Sequence, residues 1–383
     1  MALDNLLLHV VLSRREACAR RFIGGKSLIN YFLRSLMDWV FRRRSIGLSL
    51  VRVGVPLLFA VLVGLTIGVE IPTSQGLMIF KWDSSGSIGA LSWGVFVIAS
   101  LIMLLGLCLI IRDIREEGRK KVIVIEARGL RDWKGQPLAS AVPWSVPGRR
   151  EQVIVDLRQG LVDGQIASPD VALRRLAGLT DDIARRCYGL DRQDISFVLG
   201  GLAPVPFLFL LGVIIDDESR TFFMDWERTQ HAWRTLAEDD DGRCFVVSGL
   251  DAIHAQVRRV ALCVSASYDV LDADVHVAEP GVPIIKMELD GRNTNSHWSE
   301  LKQQRLAQHF LDTVMALARQ GVNEITLFLA APASLALRLG TLYDKRNLPH
   351  VEVNQFEQGD PKRFPWTVRM PVSGLPLAEV RQR

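Results

Sequence analysis

One stretch of this chain occurs twice, and the repetition constrains the fold more than any single motif. Residues 203–212 read Ala-Pro-Val-Pro-Phe-Leu-Phe-Leu-Leu-Gly, and residues 331–340 read Ala-Pro-Ala-Ser-Leu-Ala-Leu-Arg-Leu-Gly. Each copy follows a strand-like run and precedes another that ends in an aromatic-acid pair, Trp226-Glu227 or Phe356-Glu357. A duplicated strand–loop–helix–strand unit predicts two similar halves related by a pseudo-two-fold axis. The crevice between such halves suits a quasi-symmetric ligand.

Val- and Ile-rich runs without polar alternation, separated by helical patterns, indicate sheets that are covered on both faces. Both halves therefore predict a Rossmann-like α/β arrangement. The first half, residues 120–235, has predicted strands at 122–126, 152–157, 195–199 and 221–226 and helices at 169–187 and 205–214. The second half, residues 258–383, has predicted strands at 260–265, 284–289, 325–329 and 350–356 and helices at 298–320 and 332–342. Residues 236–257 are the predicted connector.

Two uncharged apolar runs lie upstream, at residues 53–69 and 88–111. Both can cross a hydrocarbon core of about 30 Å at about 1.5 Å per residue. They predict a two-helix transmembrane hairpin within residues 46–112, with spans at about 46–70 and 88–112 and a short outside loop at 71–87. A buried helix of a soluble domain is the alternative for each run.

Small residues stand four apart on the first predicted span, at Ala60, Gly64 and Gly68. Such a stripe lets helix backbones approach closely and favours association in lipid. We therefore expect helix packing and oligomerisation through this stripe. The ordinary glycine content of a membrane helix is the alternative interpretation.

Basic residues set the expected orientation. Residues 1–45 contain nine Lys and Arg and residues 112–121 contain five, whereas the connector between the spans contains only Lys81. Because cytoplasmic flanks carry the excess of Lys and Arg, both termini are predicted to be cytoplasmic. The basic segment 1–45 contains an amphipathic pattern at 22–41, which predicts a helix on the inner leaflet or one packed on the soluble domain.

Charge also limits the partners of the soluble part. The whole chain has a net charge of +4. The first 121 residues contribute +8, so residues 122–383 have a net charge of −4. Domains that grip duplex DNA are usually basic, so a small ligand is favoured over a nucleic acid polymer. The five cysteines form no close pair, and neither a zinc site nor a disulfide framework is predicted. The acidic run at 238–242 is interpreted as a solvated loop rather than a magnesium site.

In doubly wound sheets, ligands collect at the carboxyl ends of the strands. The loops after the first and third strands of each half lead into helix N-termini, which favour phosphate. Aromatic residues after the fourth strand can stack on a base, with core packing as the alternative. The candidate ligand-binding residues of the first half are Arg128, Gly200, Gly201, Ala203, Pro204, Trp226 and Arg228. Those of the second half are Ser265, Ser267, Asn293, Trp298, Ala331, Pro332, Ser334 and Phe356.

Known catalytic motifs are missing from the sequence. It contains no Gly-rich Lys-Ser/Thr phosphate loop, no Gly-x-Ser-x-Gly elbow and no His-Glu-x-x-His pair. Therefore no catalytic residue, metal ligand or cofactor is predicted.

The doubled Ala-Pro…Leu-Gly helix and the aromatic-acid strand end resemble the SAVED domain, a fusion of two CARF-like halves. The resemblance covers about residues 120–371 and is best over 325–366. It implies a soluble part that binds a cyclic di- or trinucleotide made by a neighbouring nucleotidyltransferase. A SAVED domain fused to two spans resembles the transmembrane effectors of CBASS antiphage systems.

The resemblance also implies an activity. Ligand binding is expected to assemble the protomers into a homo-oligomer, whose spans disrupt the lipid bilayer of the bacterial inner membrane. One alternative is a membrane-tethered nucleotide-processing enzyme or nuclease that uses the same double fold. Another is an adaptor whose spans serve only as anchors.

Overall fold

A computed structural model of the chain describes residues 46–62, 67–73, 76–82, 90–129, 135–158, 161–162, 165–166, 168–216, 220–254, 256–372 and 377–383. The chain forms two compact units, Met1–Glu116 and Glu117–Arg383. The predicted amphipathic segment and Gly64 lie outside the described residues.

The first unit contains two antiparallel helices with a β-hairpin between them in the chain. Its elements are α1 (Ile46–Leu62), β1 (Ile67–Thr73), β2 (Gly76–Trp82) and α2 (Ala90–Arg119). Among the described residues, one helical segment, Trp93–Glu116, is long and apolar enough to cross a membrane, and α1 contains a shorter apolar helix. The side chains of Ile98 and Leu101 are about 60% exposed, as an apolar surface in contact with lipid would be.

The predicted small-residue stripe is wrong at Gly68. This glycine lies in β1, because α1 ends at Leu62, and it cannot share a helix face with Ala60. The hairpin pairs Ile67 with Trp82, so strands occupy the end of the predicted first span and much of the predicted outside loop. β-branched residues alternate along Ile67–Thr73, and this alternation favours a strand over a helix.

Four other small residues join the two helices. Gly47 and Gly54 of α1 are buried against α2, and Ala99 and Gly106 of α2 are buried against α1. A Cβ added to Gly106 would lie 2.8 Å from the carbonyl oxygen of Gly47. The two backbones therefore approach to a distance that only glycine permits, which is how small residues act in membrane helices.

The second unit contains two sheets that repeat one strand order. The first has the order β4-β3-β7-β8-β9, with β9 alone antiparallel to its neighbour. Its strands are β3 (Lys121–Arg128), β4 (Arg149–Asp156), β7 (Ile195–Leu202), β8 (Arg220–Glu227) and β9 (Ala232–Thr235). Its helices are α3 (Leu138–Ala141), α4 (Pro169–Cys187) and α5 (Val205–Ile215), and a small hairpin joins β5 (Leu161–Val162) to β6 (Gln165–Ile166).

The second sheet has the order β10-β12-β11-β13-β14-β15-β16. Its strands are β10 (Phe245–Ser248), β11 (Arg259–Ser265), β12 (Ile284–Leu289), β13 (Glu324–Ala330), β14 (His350–Gln355), β15 (Trp366–Arg369) and β16 (Glu379–Gln382). Its helices are α6 (Asp272–Ala278), α7 (Glu300–Arg319) and α8 (Ala333–Thr341). In both halves, the parallel strands counted in chain order lie across the sheet as second, first, third and fourth. An antiparallel strand, β9 or β15, lies next to the fourth. This duplication and the helical first unit confirm the predicted fold class.

The two halves are joined by the helices of the repeat. α5 and α8 pack against each other, α8 also lies on β7 and β8, and α5 also lies on β14 and β15. Each repeated helix thus covers the sheet of the other half. The predicted connector is more than a link, because β10 within it pairs with β12 and extends the second sheet.

Candidate functional site

The loops after the first and third parallel strands meet in each half. The backbone N–H of Gly129 donates to the carbonyl of Leu202 at 2.7 Å, and that of Ser267 donates to the carbonyl of Ala330 at 3.0 Å. A Cβ on Gly129 would lie 3.0 Å from Cδ of Pro204. The structure therefore brings the predicted loops together in pairs.

Both halves place these loops at one end of the unit. The C-terminal ends of α5 and α8 line one cavity of about 250 Å³, whose wall includes Val213, Asp216, Thr341 and Tyr343. Each helix runs antiparallel to the strand before it in a doubly wound sheet. The carboxyl ends of the parallel strands of both halves hence share the opposite end. We call that end the carboxyl edge and the end with the cavity the amino edge.

The prediction that Gly200 and Gly201 lie in a loop is wrong. Both lie inside β7, which continues to Leu202. A Cβ on Gly200 would lie 2.9 Å from the Trp233 ring, and a Cβ on Gly201 would lie 2.8 Å from Leu208 Cδ2. These glycines are needed for close packing on both faces of the sheet rather than for contact with a ligand.

The N-terminus of α8 is occupied by a carboxylate of the other half. Asp225, near the end of β8, accepts hydrogen bonds from the backbone N–H of Ser334 at 2.9 Å and from its hydroxyl at 2.7 Å. Both residues are buried, and Ser334 is fully so. Asp225 is an N-terminal cap supplied across the two halves, and its charge suits the helix dipole. Ser334 is therefore part of the contact between the halves and not an open anion site.

The N-terminus of α5 offers few donors for another reason. Pro206 has no backbone N–H, and the N–H groups of Phe207 and Leu208 both donate to the carbonyl of Pro204. The Phe207 ring packs on Trp366 of the second sheet, with ring centroids 5.4 Å apart. The expected pair of open helix N-termini is thus not present in this structure.

Two further candidates are buried. Ser265 is 2% exposed, and its hydroxyl accepts a hydrogen bond from the N–H of Val270 at 3.1 Å. The Trp298 ring is buried between the His297 ring, with centroids 4.3 Å apart, and the Arg234 guanidinium, 4.8 Å from the ring centre. Trp298 therefore packs the loop before α7 against β9.

His297 and Gln303 extend the polar contact around Asp225. His297 Nε2 lies 3.4 Å from Asp225 Oδ2, and the amide of Gln303 donates to the Ser334 hydroxyl at 2.8 Å. Burial lowers the pKa of His297 in spite of the nearby Asp225 carboxylate. The ring is accordingly neutral near pH 7. The sequence did not predict this network, although Asp225 and His297 directly precede the predicted ligand-binding residues Trp226 and Trp298.

Arg128 lies at the end of β3, where it is held by a buried carboxylate. Its Nε donates to Glu126 Oε1 at 2.7 Å, and Glu126 Oε2 also accepts the N–H of Leu138 at 2.9 Å. Glu126 is fully buried. Its partner Arg128 is fixed in one orientation, with a side chain that is 15% exposed.

The other candidates reach the surface of the carboxyl edge. Trp226 is half-buried, with its ring 5.4 Å from that of Trp233, and Phe356 at the matched position is 50% exposed. Arg228 and Asn293 are exposed, and the remaining accessible candidates are Ala203, Pro204, Ser267, Ala331 and Pro332. Tyr268, which was not predicted, is 57% exposed beside Ser267. These residues present aromatic faces and arginines at one edge.

The acidic run between the halves is paired rather than freely solvated. Asp241 accepts a hydrogen bond from Lys302 Nζ at 2.7 Å, and Asp240 accepts one from Arg305 at 2.7 Å. Both cations belong to α7. Among the described residues, no group of three or more His, Cys, Asp and Glu side chains is placed to hold a metal ion.

Comparison with protein families decides the class of this duplicated fold. Residues 179–370, half of the chain, match the SAVED model, the SMODS-associated and fused to various effectors sensor domain. The chain belongs to the SAVED family. Residues 26–173 match the SAVED-fused 2TM effector domain. These matches confirm the predicted resemblance to a transmembrane SAVED effector.

The boundary between the two family matches differs from the physical one. The 2TM match extends to residue 173 and includes β3 and β4. These strands are hydrogen-bonded into the first SAVED sheet, where Ile123 of β3 lies beside Phe197 of β7. Both strands thus belong to the sheet of the sensor.

Similar solved structures include a Cap4 SAVED/CARF-domain containing receptor from Acinetobacter baumannii with the cyclic trinucleotide 2'3'3'-cAAA. It is 11% identical, with 73% of this chain and 60% of that chain covered and a TM-score of 0.46. The Moraxella osloensis Cap4 receptor is 10% identical, with 73% and 58% covered and a TM-score of 0.43. This SAVED chain therefore spans about 60% of the length of these receptors. Comparison with curated proteins finds no match.

Proposed function

We propose that this chain is a cyclic-oligonucleotide-sensing membrane effector of antiphage defence. A cyclic di- or trinucleotide, made by a neighbouring nucleotidyltransferase, binds at the carboxyl edge of the SAVED unit. Binding drives homo-oligomerisation, and the assembled spans disrupt the bacterial inner membrane. Both termini face the cytoplasm, in keeping with the positive-inside rule.

One observation carries the proposal. A sensor unit built from two equivalent halves, whose loops meet in pairs at one edge, stands on the same chain as a 2TM effector domain. A cyclic oligonucleotide repeats its own phosphate and base, so equivalent loops suit its equivalent parts. The accessible aromatic residues Trp226 and Phe356 are suited to base stacking, and Arg128 and Arg228 to phosphate contact.

Asp225 gives binding a route to the contact between the halves. A ligand phosphate at the N-terminus of α8 has the same sign of charge as the Asp225 carboxylate that already caps this helix. The phosphate would have to displace the carboxylate and so replace a bond between the halves by a bond to the ligand. A ligand can shift assembly only through such a difference between two states.

The proposal is tested by titrating the full chain in lipid nanodiscs with a panel of cyclic di- and trinucleotides. We expect one ligand to bind, and we expect Phe356→Ala and Arg228→Ala to weaken its binding by about tenfold each. Arg319→Ala is the matched control, because Arg319 is an exposed arginine at the C-terminal end of α7, away from the carboxyl edge. A panel without any binding, with folded protein, would contradict the proposal.

A further inference from the structure

Two aromatic side chains of the SAVED unit are far more exposed than aromatic residues usually are. Tyr188 is 90% exposed and Trp144 is 86% exposed, the highest values among the large hydrophobic side chains that the structure describes. Neither belongs to the carboxyl edge. Exposed aromatic surface that no internal packing explains is typical of a contact with a partner or a membrane.

Both aromatic residues lie where the chain leaves the predicted span. Only Lys120 separates α2 from β3. The carbonyl of Lys120 accepts the N–H of Arg149 at 2.9 Å, and the Arg150 guanidinium lies 4.9 Å from the centre of the Trp144 ring. On the other side, Lys121 Nζ donates to the carbonyl of Arg186 at 2.7 Å, two residues before Tyr188.

The same edge carries more cations than acids, although Asp191 is exposed three residues after Tyr188. Arg119 and Arg149 are exposed, and their side chains make no hydrogen bond or ion pair within the part of the chain that the structure describes. The Arg185 side chain is 77% exposed, although one of its nitrogens lies 3.4 Å from Asp182 Oδ1. The nearby acid Glu151 is already bonded to Lys121 at 2.5 Å and to Arg186, which lowers its pKa and keeps it ionised. Arg149 and Arg150 follow Trp144 in the chain, and Arg185 and Arg186 precede Tyr188, so cations lie close in sequence to both rings.

The distance from the membrane is short. Ile111 is the last residue of the uncharged run, and Lys120 follows it by nine helical steps, a rise of about 14 Å. The headgroup layer on each side of a bilayer is about 5–8 Å thick. The rise exceeds the headgroup layer by about 6–9 Å, which is similar to the Debye length of about 8 Å at physiological ionic strength. The uncharged run of 24 residues is longer than the hydrocarbon core requires, and tilt of such a span shortens this gap. Trp and Tyr prefer that layer, and Lys and Arg are attracted to anionic lipids there.

We propose that this edge, formed by Trp144, Tyr188 and the cations around Lys120 and Arg149, docks on the anionic phospholipid headgroups of the membrane that α2 crosses. Docking at two aromatic anchors fixes the orientation of the sensor and leaves its carboxyl edge facing the cytoplasm. The inference rests on the proposed membrane insertion of α2. It goes beyond the function proposed above, because it concerns the surface opposite to the ligand.

The test measures how closely single positions approach lipid. The full chain, with Cys18, Cys108, Cys187 and Cys244 replaced by Ala, is reconstituted in nanodiscs that contain phosphatidylglycerol and brominated phosphatidylcholine. Cys263 is kept, because it is buried and burial raises the pKa of its thiol to about 12, so it does not take up label. Bimane is attached in turn to Trp144→Cys, Tyr188→Cys, Tyr268→Cys and Leu104→Cys.

Bromine quenches bimane only at close range. We expect quenching at positions 144 and 188 to be at least about twice that at position 268, which is also exposed but lies at the carboxyl edge. Arg149→Glu, or the removal of phosphatidylglycerol, should lower quenching at 144 toward the value at 268. Position 104 lies in α2 and reports insertion itself.

The outcomes separate the two claims. If position 104 is quenched but positions 144 and 188 are quenched no more than position 268, the docking is overturned and the membrane span is not. Absence of quenching at 104 would overturn the membrane insertion on which the proposed function depends. Equal quenching at 144 with and without phosphatidylglycerol would overturn the role of anionic headgroups.

Discussion

Gly212 and Gly340, which hold the same place in the two copies of the repeat, meet where α5 packs on α8. A Cβ on Gly212 would lie 2.8 Å from the Cα of Gly340, and a Cβ on Gly340 would lie 3.0 Å from the Cα of Gly212. The Cβ on Gly212 would also clash with the carbonyl oxygen of Leu337, and the Cβ on Gly340 would clash with that of Phe209. Equivalent residues that touch each other lie on the pseudo-two-fold axis.

Replacement of either glycine should therefore destabilise the whole SAVED unit. In Gly212→Ala the added methyl group meets backbone atoms, which cannot rotate away. Overpacking of this kind costs about 1–3 kcal/mol, and we expect Tm to fall by about 3–10 °C. Gly178→Ala is the control, because a Cβ there meets nothing within 4 Å and alanine favours the helix. Equal Tm values for the two variants would refute the close contact of the repeated helices.

The strands and helices around this axis could be predicted because their patterns are local. The Val- and Ile-rich runs gave the parallel strands to within a few residues, and α4 and β12 match their predicted bounds. The strands β9, β10, β15 and β16 were not predicted, since each is four residues long and acquires its partner only in the folded sheet. Short edge strands carry too few residues for a period to emerge.

The site was less predictable than the fold. Gly200 and Gly201 resemble a phosphate-binding turn in sequence, but the Trp233 ring and Leu208 fill the space beside them. Ser334 lies at a helix N-terminus, as predicted, but its N–H and hydroxyl already donate hydrogen bonds to Asp225, which is 109 residues away in the chain. A long-range bond of this kind leaves no mark on local sequence. The matched aromatic positions, by contrast, followed from the repeat.

Asp225→Ala should lower stability, since it leaves the N–H and hydroxyl of Ser334 buried without an acceptor. The loss of such bonds to a charged group costs about 1.5–3 kcal/mol, and we expect Tm to fall by about 3–10 °C. Asp225→Asn keeps an acceptor and should lose less. Thermal unfolding of the full chain in detergent measures both. Wild-type Tm in Asp225→Ala would mean that the bond contributes nothing.

The same residue tests the proposed route of the ligand. If a ligand phosphate competes with the Asp225 carboxylate, then Asp225→Asn should bind a cyclic nucleotide about threefold to tenfold more tightly, because the like charge is removed. Asp290→Asn removes an exposed acid at the same edge, after β12, and controls for net charge. Unchanged affinity in Asp225→Asn would place the ligand away from α8.

The packing of α1 on α2 can be tested by cross-linking. A Cβ on Gly54 would lie 3.3 Å from the Cβ of Met103, close to the separation in a disulfide. We expect the pair Gly54→Cys and Met103→Cys to cross-link under mild oxidation in a Cys108→Ser background. Phe59→Cys with Leu107→Cys is the control, since about 14 Å of helix separates these positions in the same register. Cross-linking of the control alone would contradict the packing of the two glycine-bearing helices.

The bond between Asp241 and Lys302 should make stability depend on acid pH. Burial acts to raise the pKa of Asp241, but the bonds from Lys302 and Arg243 outweigh it and hold the pKa below its ordinary value of 3.8. The stabilisation is therefore complete above that value and is lost as pH falls below it. In Lys302→Met, the decline of Tm from about pH 5 to about pH 3 should be shallower. Parallel Tm curves for the two proteins would contradict this role.

The central claim, that a cyclic nucleotide bound by the SAVED unit makes the spans permeabilise a membrane, is tested most directly by dye release. The full chain is reconstituted in liposomes of phosphatidylglycerol and phosphatidylethanolamine loaded with a self-quenching dye. A cyclic nucleotide that binds in the titration should release the dye in proportion to its occupancy of the protein. It should release none from liposomes with a Phe356→Ala, Arg228→Ala variant at the same concentration. Tight binding of the nucleotide without any release of dye would contradict the account.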